Sequence, residues 1–254
     1  MRASVLAAQL GFVLAVIAFW ELGARGGLLS PDVLPAFSDV MVTLVEFLRS
    51  ETFQNNAWDT LVRIAVAFVL GAPPAIALGF YIGEKVHFGK VLEPLIHFSI
   101  AIPQSIFLPL FIFAFGIGFA EKVIFGITHI VFVLALNTIA AVRSVPRSYV
   151  TAARSFGATP AQIYWKIFIP AMLPLVITGL RMAMIFNIIG ILLAEMYASQ
   201  TGMGMLIFHW GESHDVKKLM AAIVLVSLVT IAINEAMRIW EYRSGRWLRR
   251  AGRS

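Results

Sequence analysis

The chain has 254 residues, 59% of them hydrophobic and 13% charged, whereas a soluble domain is nearer half apolar and a quarter charged. Its formal charge of +6 does not point to nucleic acid, because the basic residues gather at the ends of apolar runs. It contains no cysteine, which excludes disulfides and thiol chemistry. A helical span takes about 20 apolar residues, so the length accommodates five or six.

In chain order, residues 3–22 form the first apolar run, preceded by Arg2. It is too long for the apolar region of a cleaved leader and ends in Trp20-Glu21 with no small-x-small site. An uncleaved first span is expected, with Trp20 at the membrane interface. Residues 25–56 are mixed and polar, with Pro31 and Pro35. There Val40, Leu44, Val45, Phe47 and Leu48 mark a short amphipathic helix, capped by Ser38 or Asp39. An external surface helix is expected, with membrane anchoring as the alternative.

The second span is read at 58–82, kinked at Pro73-Pro74, followed by a tight loop over 84–90 with Lys85 and Lys90. The third, 92–115, is broken by Pro103 and Pro109, and Gly116-Ile117-Gly118 turns the chain into the fourth, 123–142. The fifth, 170–197, carries Pro170 and Pro174 in its first turn, where proline is accommodated. A Gly-rich external connection over 199–216 leads to the sixth span, 219–240, and a basic tail, 243–254. Six spans put both termini on one side. Loops on that side hold thirteen Lys and Arg against five opposite, which places the termini, the 84–90 loop and the 143–169 connection in the cytoplasm. The fold class is therefore an all-α polytopic membrane protein, read as one transmembrane domain over 1–254.

The 143–169 connection holds Arg143, Arg147, Arg154 and Lys166 and no acidic residue. Pro146 suits a first helical position, and the helix runs to Phe156 with Thr151, Ala152 and Ala153 on one side. Gly157 follows, able to enter the left-handed region without a Cβ penalty. Thr159-Pro160-Ala161-Gln162 then reads as a capping box with proline in the first turn. Ile163, Ile167 and Phe168 give this second helix an apolar face. A helix bearing Ala-Ala can approach another protein's groove closely, with Arg147, Arg154 and Lys166 flanking the contact. The plain alternative is an ordinary basic loop.

Ala152-Ala153, three residues, Gly157, nine residues, Ile167, one residue and Ile169-Pro170 resembles the coupling-loop signature (E-A-A-x3-G-x9-I-x-L-P) of ABC importer permeases. Ile102-Pro103, Leu108-Pro109-Leu110 and Phe115-Gly116-Ile117-Gly118 are similar to the nitrate/sulfonate/taurine-type branch. So are Leu136-Asn137-Thr138, Thr178-Gly179-Leu180-Arg181, and Ala194-Glu195-Met196 with Gly202-Met203-Gly204. The resemblance covers roughly 34–250. Thr151 stands where the signature has an acid, which removes one possible salt bridge to an ATPase, and Ile169 replaces its leucine; Pro73-Pro74 is atypical of the branch.

The resemblance implies a type I importer permease fold with cytoplasmic coupling helices, in a bacterial inner membrane. Its implied partners are cytoplasmic ABC ATPase subunits, an external (periplasmic) solute-binding protein, a second permease copy as a homodimer, and membrane lipid. ATP and Mg would be bound by the ATPase, with no cofactor in this chain and no nucleic acid. Thr151, Ala152, Ala153, Arg154, Gly157, Ala158, Ile167 and Pro170 are the implied ATPase-coupling residues. The substrate class implied is a small oxyanion such as nitrate, a sulfonate or taurine, with a thiamine-precursor pyrimidine or another small organic solute as the alternative.

Ionisable groups inside a membrane are costly and mark function by default. Arg181 lies about 11 residues into the fifth span, near mid-membrane, and Glu195 follows close to four turns later on the same face. With Asn187 they either line the translocation path or hold helices or subunits together. Asp59 and Arg63, four apart, read as a structural pair. Met182, Met184, Met196, Met203 and Met205 either repack at a gate or simply fill space. His209 and His214 lack partners at metal-ligand spacing, and no phosphate loop, nucleophile elbow, dinucleotide fingerprint or zinc motif occurs, so no catalytic or metal residue is assigned. Two other classes stay open: a secondary transporter or channel needing no ATPase, where broken helices also occur, and a membrane scaffold.

Overall fold

A computed structural model describes residues 2–27, 30 and 32–244; Pro31 and most of the basic tail (245–254) lie outside the described residues. Within them the chain is helical, with no strand. Helices α1 (Arg2–Arg25), α2 (Phe37–Arg49), α3 (Glu51–Glu84) and α4 (Val86–Ala101) come first. A 3-10 turn (Gln104–Phe107), α5 (Leu108–Phe115) and α6 (Phe119–Arg143) follow. Then come α7 (Arg147–Ser155), α8 (Pro160–Ile163), a π turn (Tyr164–Phe168), α9 (Ile169–Ala198), α10 (Met203–Glu212) and α11 (Val216–Ser244). Among the described residues, five helices are long and apolar enough to cross a membrane, or six if the pair either side of Pro103 is one span bent by 81°.

Contacts group into two compact units, Met1–Asp59 with Glu195–Leu228, and Thr60–Ala194 with Val229–Ser254. In the first unit, α2 buries Val40, Leu44 and Phe47. Phe47 stacks between Phe53 at 4.6 Å and Trp210 at 4.8 Å. The start of α2 differs from expectation: Ala36 is the capping residue and no local side chain bonds there. The Ser38 amide and hydroxyl donate instead to Glu21 at 3.0 and 2.9 Å, so a carboxylate from α1 does the work of a cap. Trp20 Nε1 donates to the Pro35 carbonyl at 2.9 Å.

The core of the second unit packs α3, α6 and α9, with Ile130, Leu134, Ala183 and Ile191 at its centre. Small residues let these helices approach closely, as membrane helix packing favours. A Cβ on Gly79 would lie 2.6 Å from the Ala135 carbonyl oxygen, and one on Gly126 would lie 2.7 Å from Asn187 Oδ1.

Several boundaries move. Helix α3 continues unbroken through Pro73-Pro74; both prolines are exposed, and a membrane helix tolerates the two lost donors when its neighbours hold it. The loop expected over 84–90 shrinks to Lys85, because α4 already begins at Val86. The fourth apolar helix starts at Phe119, so Lys122, one of the five Lys and Arg assigned by sequence to the loops opposite the termini, lies inside α6. Its ammonium and the Glu121 carboxylate form a 3.1 Å pair with side chains 1% and 0% exposed. The Gly-rich connection over 199–216 contains the helix α10.

Candidate functional site

The connector between α6 and α9 begins where Arg143 pairs with Glu93 of α4 at 2.7 Å. Pro146 is the capping residue of α7, with backbone dihedrals of −62° and 130°, and contributes no side-chain bond. Helix α7 ends in a Schellman turn: the Ala158 amide donates to the Ala153 carbonyl at 3.0 Å and the Gly157 amide to that of Arg154 at 2.9 Å. That geometry requires a left-handed residue, supplied by Gly157 at φ 75°. One residue on, the capping box is complete. The Gln162 amide donates to Thr159 Oγ1 at 3.3 Å, and the Thr159 amide donates to Gln162 Oε1 at 2.9 Å.

Of the coupling residues named above, Thr151, Ala152, Arg154 and Gly157 are exposed, and Ala153, Ala158, Ile167 and Pro170 are half-buried. The Thr151 hydroxyl turns back on its own helix, donating to the Arg147 carbonyl at 3.1 Å. Beside them Phe156 is 92% and Trp165 72% exposed, a large apolar surface for a basic segment. Under α7 lies a cavity of about 540 Å³ lined by Glu84, Arg147, Thr151, Arg154, Tyr164 and their neighbours.

The second short helix does not end before the fifth apolar helix. Pro160–Ala198 is one 39-residue helical stretch. Its only irregularity is the π turn, where the Ile169 amide donates to the Tyr164 carbonyl five residues back. Pro170 has no amide to give to the Lys166 carbonyl, and its ring crowds that carbonyl. Widening the turn just ahead of it relieves the conflict. Tyr164, in this turn, hydrogen-bonds through its hydroxyl to the Glu84 carboxylate at the end of α3, and its ring lies 6.1 Å from Phe80.

The three polar residues considered for the translocation path have separate partners. Arg181 Nε pairs with Glu241 of α11 at 3.4 Å, and the same carboxylate accepts from the Thr178 hydroxyl at 2.7 Å. Asn187, fully buried, donates to the Ile64 carbonyl of α3 at 2.9 Å. Glu195, also fully buried, accepts from the Gly204 amide at 3.0 Å, while Asn56 accepts from the Gly202 amide at 2.6 Å. Glu195 and Asn56 thus serve the first turn of α10 from a distance. On α3, Arg63 is buried and Asp59 half-buried. The buried Glu121–Lys122 pair was the polar feature missed by sequence reasoning. Nothing in the local sequence signals it, because an adjacent acid and base at the start of an apolar run ordinarily mark its watery end.

Long apolar helices joined by a basic two-helix connector define a polytopic membrane protein. Its fold is similar to a chain of the inward-facing MetNI methionine ABC transporter, with a TM-score of 0.68 at 18% identity over 78% of this chain and 100% of that chain. The taurine transport system permease protein of Escherichia coli (strain K12) is 26% identical over 244 residues, 94% of this chain and 89% of that relative. The nitrate import permease protein of Leptolyngbya laminosa is 26% identical over 239 residues, 92% and 85% of the two chains. A formylaminopyrimidine transport permease protein of Halalkalibacterium halodurans is 26% identical over 220 residues, 87% of each chain.

Residues 75–250 match the family of binding-protein-dependent transport system inner membrane components, and the chain belongs to that family. It is an ABC importer permease subunit with the type I importer fold. Membership implies a solute-binding protein and an ATPase among its partners.

Proposed function

We propose that this permease is a homodimeric, ATP-driven importer core in which α7 and its Gly157 turn dock on a separate cytoplasmic ATPase. The observation that carries the reading is continuity. The exposed Ala152 face and Schellman turn lead through a two-residue cap into α8, which runs through the π turn into α9 without a break. A push on the connector therefore arrives at a spanning helix through hydrogen-bonded backbone, not through a slack loop. Thr151, Ala152, Ala153, Arg154, Gly157 and Ala158 form the contact, and Ile167 and Pro170 belong to the transmitting part. ATP and Mg are bound by the ATPase. The excess of Lys and Arg on one set of loops supports cytoplasmic termini, and lipid surrounds the exposed apolar helices.

The cargo reading is a small oxyanion, supported by the taurine and nitrate relatives; the pyrimidine permease supports a small organic solute as the second reading. An external binding protein delivers it. Arg181, Asn187 and Glu195, the candidates for the path, act in our reading as internal ties, because each already holds a partner within the chain. The test is co-purification of the ATPase with wild-type, Gly157→Asp and Ala153→Glu permease, alongside solute uptake. ATPase recovery with wild type and its loss with either variant is expected. Uptake that continues with the ATPase omitted would show a secondary transporter or channel, and no uptake at all would show a scaffold.

A further inference from the structure

The bent pair α4 and α5 leaves Ile102 and Pro103 outside any helix, in the middle of a stretch that as a whole has the length and composition of a membrane span. Pro103 causes this: it cannot donate an amide, and it forces Ile102 into the extended region, at φ −79° and ψ 126°. Inside a bilayer, non-helical backbone persists only where protein covers it or where it lines a hydrated cavity. Ala101, Ile102, Pro103 and Ser105 are all exposed, and two cavities of about 220 and 290 Å³ meet at the break, sharing Ile102 and Gln104.

Around them the polar groups are few and neutral. Gln104 and Ser105 lie on the 3-10 turn, His129 lines the smaller cavity and Thr128 the larger. The Thr128 hydroxyl donates to the Phe125 carbonyl at 2.7 Å and stands 3.4 Å from Gln104 Oε1, so the Gln104 side-chain amide offers both a donor and an acceptor at the break. His129 is buried, with Nδ1 3.0 Å from the Phe125 carbonyl; a carbonyl only accepts, so Nδ1 carries the proton and Nε2 is the acceptor. No Lys, Arg, Asp or Glu lines either cavity, and the remaining walls are apolar or carry one hydroxyl, Ser99. Mainly apolar walls with a few convergent polar groups are the usual make-up of a small-molecule site.

We propose that the Pro103 break is a mid-membrane binding subsite for a small organic solute with an apolar part and a hydrogen-bonding head, and not for a bare inorganic anion. An ion without apolar surface would gain nothing from these walls and would lose its hydration. The inference rests on the permease reading and narrows its cargo. The test is calorimetric titration of the full-length permease in nanodiscs, without binding protein, using taurine, butanesulfonate, an aminopyrimidine and nitrate as probes. At least one organic probe binds saturably, nitrate does not, and the Gln104→Ala/Ser105→Ala double variant weakens binding about tenfold with an unchanged gel-filtration profile. The proposal is overturned if no organic probe binds, if nitrate binds as well as the organic probes, or if the double variant binds unchanged, as it would were the cavities simply filled by lipid chains. ATPase co-purification, measured separately, reports on the permease reading alone.

Discussion

Gly157 holds φ 75°, with open space where a Cβ would be, so a substitution there is opposed by backbone strain and not by a clash. Gly157→Ala is expected to weaken the turn by about 1 kcal/mol and to lower ATPase recovery in a pull-down while leaving the spans assembled. Gly126 is the opposite case: its Cβ would meet Asn187 Oδ1 at 2.7 Å and Ile191 Cδ1 at 2.8 Å, both deep in the second unit. Gly126→Leu should lower the thermal unfolding midpoint of the detergent-solubilised protein by several degrees, since overpacking a filled interior costs about 1–3 kcal/mol. A midpoint at the wild-type value would mean that α6 and α9 are not in the described contact.

At the scale of elements, the π turn and the Tyr164–Glu84 bond join the connector to both α9 and the end of α3. Tyr164→Phe and Glu84→Ala should each reduce solute moved per ATP hydrolysed, and the double variant should fall no further than the worse single, because both remove one bond. Additive losses would assign the two residues to separate roles. The connector was legible in the sequence: Gly157 as a left-handed terminator and Thr159–Gln162 as a capping box both depend on local chemistry, and local chemistry is what spacing encodes. The α10 helix was not, because its first turn is held by Asn56 from a distant part of the chain and by Glu195 at the end of the preceding helix, and Gly202, Gly204 and Gly211 mask its pattern. For the same reason Ser38 misled: a hydroxyl before a helix looks like a cap, but Glu21 from α1 takes over that task. Burial of Glu121 and Lys122 was illegible too, because charges near the start of an apolar run normally mark its watery end.

Across the whole molecule, the orientation rests on the distribution of Lys and Arg. The absence of cysteine makes a clean labelling test available. Ser148→Cys on α7 and Ser213→Cys after α10 are both at exposed positions. An impermeant maleimide should label the Ser213→Cys protein in intact spheroplasts and the Ser148→Cys protein only in inverted vesicles; the reverse pattern would invert the topology and remove α7 from the cytoplasm. The central claim is that the connector turns ATP hydrolysis on a partner into movement of the spans. Its most direct measure is solute uptake into proteoliposomes containing the permease and its ATPases, supplied with the binding protein and ATP, with wild-type permease against Gly157→Asp. Uptake that requires both the ATPase and ATP, and that collapses in the variant, is the predicted result. Uptake that proceeds without the ATPase, or that is untouched by Gly157→Asp, would contradict it.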